Sequence, residues 1–181
     1  LARMQAYAYE EYAHRIPLKK GVREALEQLK ARGASLNILT ASPHATLDVC
    51  LKRLGIFELF DNVWSCEDFG TTKADPDIYK MAAERIGASV CDVVFRDDNY
   101  NADLTAKRAG MKVIGVYDES SAEYEQQIRS ITDAYISDFT AYIKSLKPDM
   151  SVYYNYSTSM LPADEFTSSE VINKYQDFAS G

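Results

Sequence analysis

Histidine is nearly absent from this chain. Only His14 and His44 occur among 181 residues, and their separation argues against a histidine relay. Cysteine is almost as scarce. Cys50, Cys66 and Cys91 are odd in number, widely spaced and without a C-x-x-C pair, which excludes a disulfide framework and a thiolate zinc site. All three read as reduced core thiols. No apolar run approaches the ~18 residues of a membrane helix and the first residues form no signal peptide, so a cytoplasmic protein is expected. There is also no cluster of Lys and Arg. With 27 acidic against 20 basic side chains and a net charge of −7, the surface repels polyanions, and nucleic acid is not an expected partner.

What is present suits one domain, since 46% hydrophobic residues are enough for a sizeable core. Residues 1–15 read as a helix that begins without a cap. VREALEQLKARG has apolar residues at Val22, Ala25, Leu26 and Leu29, one helical face closed by Gly33. A strand follows at 35–39, then a helix with Pro43 in its first turn, and a short strand at 62–66. Residues 75–86 are helical, with Pro76 at the start and Gly87 at the end, and Val93 to Phe95 is a buried-type strand. The next unit, DLTAKRAGMKVIGVYD, repeats the layout of LKARGASLNILTA: a helix, a Gly cap, an apolar strand. Helices are expected at 122–130 and 138–146, with an edge strand at 134–136 between them. This alternation implies βαβ units and a parallel sheet covered on both faces.

Three runs put polar residues at or just beyond strand ends, where open parallel sheets collect ligands. In ILTAS, Thr40 and the amides of Ala41 and Ser42 would face an anion at a helix N-terminus; taken alone, the run is equally a turn with an N-cap at Ser42. In TTKADPD, Lys73 is a cation in a loop, which by itself is also a solvated surface charge. In VVFRDDNYNAD, the adjacent Asp97 and Asp98 are costly together unless a cation neutralises them, and hard oxygen donors suit Mg²⁺; a capping pair before Asn99 is the other reading. Asp75 and Asp77 follow no apolar strand, and Pro76 between them marks a helix start.

A hydroxyl, a cation and a carboxylate pair in this order, with GMKVIGV downstream, resemble the second, third and fourth motifs of the haloacid-dehalogenase-like (HAD) phosphohydrolases, over about residues 1–146. The resemblance implies a three-layer α/β/α Rossmann-like core with a parallel sheet. It also implies Mg²⁺-dependent hydrolysis of a small phosphorylated metabolite through an aspartyl-phosphate. Thr40, Ala41, Ser42 and Lys73 would bind phosphate, Thr40, Lys73 and Asp97 would be catalytic, Asp97 would be the direct metal ligand, and Asp98 or Asn101 the second or an outer-shell group. The family begins with a central strand ending in an Asp-x-Asp pair whose first carboxylate is the nucleophile, and no such segment precedes Ile38. The fragment is therefore expected to be inactive, with apolar strand edges left open. Two local departures are Ala74, where many relatives have Pro, and Arg96, expected to weaken the metal or pair with Asp98. Residues 1–16 resemble the last helix of a cap of the phosphoglycolate phosphatase or beta-phosphoglucomutase kind, 17–146 the core. From Lys147 the composition shifts to Tyr, Ser and Thr, which reads as a mobile C-terminal extension over 147–181, with a helix at 168–179 from the capping box at Thr167 to Glu170. The alternatives to a phosphatase are a phosphomutase and a non-catalytic binding or scaffold protein on the same fold.

Overall fold

The computed structural model describes residues 2–145 and 153–156 of the chain. Its helices are α1 (Ala2–His14), α2 (Val22–Ala31), α3 (His44–Arg53), α4 (Pro76–Ile86), α5 (Tyr100–Ala109), α6 (Glu125–Ile131) and α7 (Phe139–Ser145). Its strands are β1 (Leu36–Thr40), β2 (Asn62–Ser65), β3 (Val93–Asp97), β4 (Lys112–Val116), β5 (Ala134–Ile136) and β6 (Tyr153–Tyr156). All pair in parallel, in the order β2-β1-β6-β3-β4-β5. The expected α/β/α architecture is present.

Strand parity sorts the core into two layers, because successive side chains leave opposite faces of a sheet. Leu36, Ile38 and Val94 pack with Val22, Leu26, Leu29, Leu47 and Phe139 on one side. Leu39, Val93 and Phe95 pack with Ile78, Tyr79, Ala82 and Ala106 on the other. Every residue of β1 and β3 is buried, the polar Asn37, Thr40, Arg96 and Asp97 included, as in a parallel sheet covered on both faces. α1 lies on α3, where Ile16 and Cys50 form a small buried cluster flanked by Tyr12 and Leu54. Gly21 adopts φ 80° at the start of α2, and a Cβ there would lie 2.7 Å from the Thr140 amide nitrogen; only glycine allows α2 to close this tightly on α7.

The repeated helix, glycine and strand unit extends to its side chains. Asp61 accepts the Leu36 amide at 2.9 Å and pairs with Lys30 of α2. Asp133 accepts the Val113 amide at 2.8 Å and pairs with Lys107 of α5. Each carboxylate clamps the N-terminal end of a strand to the helix before it.

Three expectations need correction. Cys91 is exposed, whereas Cys50 and Cys66 are buried free thiols. Pro43, rather than Ser42, caps α3, without a side-chain hydrogen bond. Most important, the sheet has no open gap between β1 and β3: residues 153–156, expected in a tail, supply the strand between them. Asn155 pairs with Asn37 on one side and Phe95 on the other. A central parallel strand satisfies the backbone groups of both neighbours, which an open edge would leave unpaired, and that is the physical reason this segment takes the place. The expected helix at 168–179 lies outside the described residues.

Proline has no amide to donate and is confined to sheet edges and bulges. Asn155→Pro should therefore lower the unfolding free energy by on the order of 3 kcal/mol, measured by urea denaturation of the 181-residue chain. A variant as stable as the parent would show that 153–156 is not a central strand in solution.

Candidate functional site

β1 and β3 end on either side of β6, and the chain leaves them for opposite edges of the sheet, β1 toward β2 and β3 toward β4. This is the point where the strand order reverses, the usual binding place of an open α/β sheet. Thr40 is the last residue of β1 and Asp97 the last of β3. Sequence spacing alone could not show that these two flank one strand.

Asp97 is 1% exposed and both oxygens of its carboxylate accept hydrogen bonds. Oδ2 accepts from Lys73 Nζ at 2.6 Å, and Oδ1 accepts the amides of Asp98 at 2.8 Å and Asn99 at 3.0 Å. Burial alone would push the carboxyl up and the Lys73 ammonium down. The pair and the amides more than reverse this, so Asp97 titrates below the usual carboxylate range and Lys73 above the usual lysine range. Lys73 reaches this position because its loop is pinned. Tyr79 Oη donates toward the Lys73 carbonyl at 3.0 Å, and Asp75 caps α4 by accepting from the Asp77 amide at 2.9 Å and from Thr71 Oγ1 at 3.0 Å. Asp75 and Asp77 thus mark a helix start, as their sequence context indicates. Burial and then the Asp97 charge push Asp98 up to about 7, against the opposing charge of Lys19.

Thr40 Oγ1 accepts the Ser42 amide at 3.1 Å, which leaves its own proton to donate. Ser42 Oγ shares a hydrogen bond of 3.1 Å with Tyr12 Oη of α1. Asn101 is exposed in the first turn of α5, with its amide bonded to the side chain of the capping residue Asn99 at 3.0 Å. Arg96 behaves differently from the expectation that it pairs with Asp98. One residue before Asp97, it leaves the opposite face of β3, is fully buried, and donates to Tyr142 Oη of α7, with its guanidinium 4.8 Å from that ring.

Several polar groups of the site have no local signature in the sequence. Asp103 on α5 is fully buried with neither oxygen hydrogen-bonded, and burial followed by the Asp97 charge pushes it up to about 10; it is a neutral acid at ordinary pH. Burial likewise pushes the Cys66 thiol up, so it is a poor nucleophile. Lys19 lies 3.9 Å from Asp98 Oδ2. His44 bonds to Asp48 at 3.0 Å and to Asp68 at 2.8 Å, joining α3 to the turn before the Lys73 loop; the His44 and Asp48 spacing of four was the available signal. Asp68 also accepts the Ser65 amide at 2.8 Å in a capping box. Among the described residues no group of three or more His, Cys, Asp or Glu side chains is arranged to hold a metal ion. The adjacent carboxylates of Asp97 and Asp98 nevertheless fit an ion that takes few protein ligands and keeps several waters, as Mg²⁺ does.

Comparison with known proteins places this geometry in context. A family model described as haloacid dehalogenase-like hydrolase matches residues 1–110. Pyrophosphatase PpaX of Bacillus velezensis is 31% identical over 112 residues, covering 62% of this chain and 52% of that protein. Hexitol phosphatase B of Escherichia coli K12 is 31% identical over 100 residues, covering 55% of this chain and 45% of that protein. The crystal structure of a predicted phosphoglycolate phosphatase from Haemophilus somnus 129pt superposes with a TM-score of 0.69 at 25% identity, covering 79% of this chain and 63% of that one. The chain spans about half the length of the curated relatives it matches.

The bonds to Asp48 and then Asp68 raise the His44 pKa above 6.5. A raised folded-state value means that protonated His44 stabilises the fold below the unfolded value, near pH 6.5, and that this contribution is lost as pH rises through the folded value. Melting temperature should therefore fall more steeply across that window in the parent chain than in His44→Gln. Parallel melting curves against pH would refute the latch.

Proposed function

The chain belongs to the haloacid dehalogenase-like hydrolases, and from that membership we propose that its site serves Mg²⁺-dependent hydrolysis of a small phosphorylated metabolite by way of an aspartyl-phosphate. The observation that carries the proposal is the pair of the half-buried Lys73 and the fully buried Asp97 at 2.6 Å, set across β6 from Thr40 at the reversal point of the sheet. A cation held this firmly in a water-poor place stabilises charge that develops on a transferring phosphoryl group, because it needs no reorganisation when the charge appears.

In this reading Thr40 donates a hydrogen bond to one phosphoryl oxygen, the Ala41 amide lines the same anion, and the Ser42 amide joins it by leaving the Thr40 hydroxyl oxygen to which it is bonded at 3.1 Å. Lys73 holds the attacking carboxylate and a second phosphoryl oxygen as a point charge. Asp97 would hold Mg²⁺ directly, with Asp98 as the second ligand and Asn101 in the outer shell, and the bound ion would offset negative charge on the phosphoryl group. The packing of α1 on α3, with Tyr12 bonded to Ser42, supports its assignment as the end of a cap that closes over the substrate. The names of the relatives, a pyrophosphatase and a hexitol phosphatase, favour a small soluble phosphate compound over a macromolecule.

The attacking carboxylate is assigned to an Asp-x-Asp strand of the family kind. The single Asp-x-Asp in the sequence, Asp75-Pro76-Asp77, is used in capping α4, and Asp103 is buried and neutral. The 181-residue chain should accordingly release no phosphate from a panel of small phosphate esters with Mg²⁺, and a version that lacks residues 147–181, whose strand β6 fills the place between β1 and β3, and carries an apolar strand ending in Asp-x-Asp before Leu1 should do so. In that version, changing the first added Asp to Asn should remove roughly a millionfold in rate, and Lys73→Ala on the order of a hundred to a thousandfold. Turnover by the 181-residue chain itself, abolished in Asp97→Asn, would overturn the assignment of the nucleophile.

A further inference from the structure

The carboxylate pair is bracketed by two lysines, and only one of them has a role so far. Lys73 binds Asp97. Lys19, in the connection between α1 and α2, approaches from the other side. Its Nζ is 2.5 Å from Asp118 Oδ2, 3.1 Å from the Tyr117 carbonyl oxygen and 3.9 Å from Asp98 Oδ2. The Lys19 side chain is 15% exposed and that of Asp118 is 2% exposed. Asp118 is itself fixed, because its Oδ1 accepts the Ser120 amide at 2.9 Å and the Ser120 hydroxyl at 2.6 Å at the head of the turn Glu119–Tyr124.

We propose that Lys19 is a resident counter-charge, anchored by Asp118, that sets how tightly the Asp97 and Asp98 pair takes a divalent cation. This rests on the reading of those two carboxylates as the metal site. The physical argument is one of anchoring. An ammonium beside a carboxylate repels any cation that binds there, and an exposed lysine would relieve the repulsion by swinging into water. Lys19 cannot do so freely, since leaving would strand the buried Asp118 carboxylate without its counter-ion, which is strongly unfavourable. Its charge therefore remains near the site when the metal arrives and acts as a resident monovalent competitor. The same anchor limits how far Lys19 can move toward Asp98, so Asp118 moderates the competition.

The two halves of the anchor predict opposite effects. Mn²⁺ is titrated into the 181-residue chain at a pH of about 8, with binding followed by water-proton relaxation and Mg²⁺ used to displace it. Lys19→Met should tighten Mn²⁺ binding by roughly tenfold, the effect of removing one nearby unit charge. Asp118→Asn should weaken it severalfold by releasing Lys19 toward Asp98, Lys19→Arg should resemble the parent, and the double variant Lys19→Met with Asp118→Asn should follow Lys19→Met. Both single variants break a buried pair and should lower the melting temperature, so a purely structural role would weaken binding in both. Unchanged or weaker binding in Lys19→Met, while the parent binds Mn²⁺ and loses it in Asp97→Asn, overturns the role of Lys19 alone. Absence of binding in the parent and all variants, or binding indifferent to Asp97→Asn and Asp98→Asn, overturns the metal site and the role of Lys19 with it.

Discussion

A lysine and an aspartate facing each other in a nearly dry place impose the main constraint on this structure. Removing two charges from water costs several kcal/mol per ion in proteins, and the attraction between them offsets this only when geometry and supporting hydrogen bonds are good. Here Lys73 and Asp97 meet at 2.6 Å and two backbone amides occupy the remaining oxygen of Asp97. The loop carrying Lys73 therefore needs fixed ends. The capping box at Ser65 and Asp68, the Asp75 cap of α4 and the Tyr79 hydroxyl provide them. A loop that in isolation would favour solvated lysine becomes part of a rigid site.

The cluster around this pair is graded rather than uniformly charged. Asp97 is held ionised, Asp98 is pushed up to about 7, and Asp103 is pushed up to about 10. The three differ because only Asp97 has a lysine in direct contact and two amide donors, while Asp103 has burial without partners. The charge of the site is thereby concentrated on Asp97, the carboxylate that Lys73 already faces.

The sequence revealed those parts of the fold that depend on local pattern. The apolar face of α2, the glycine caps and the buried runs of β1 and β3 could all be read from residues close together in the chain. So could Thr40, Lys73 and the Asp97 and Asp98 pair, because their strand-end context is local. Lys19, Asp103 and the contact of Arg96 with Tyr142 could not, since each arises from a meeting of distant elements that no periodicity encodes. The largest difference is β6. Tyr153 to Tyr156 contains three strand-favouring tyrosines, but its central place follows from the backbone groups of β1 and β3 that it pairs with, a tertiary demand that no local pattern encodes. Cys91 was misread for the converse reason: a small hydrophobic residue type carries no information about which side of a short turn it faces.

Asp61 and Asp133 hold the strand starts at one rim of the sheet, while Thr40, Asp97 and Asp98 occupy the other. The two clamps are built from the same three parts, a helix lysine, an aspartate and a strand amide, and neither touches the chemistry. Such a division allows inherited variation to accumulate unevenly. A lineage that keeps the clamped rim can alter loops at the opposite rim, and so explore new substrates, without first losing the scaffold that presents them.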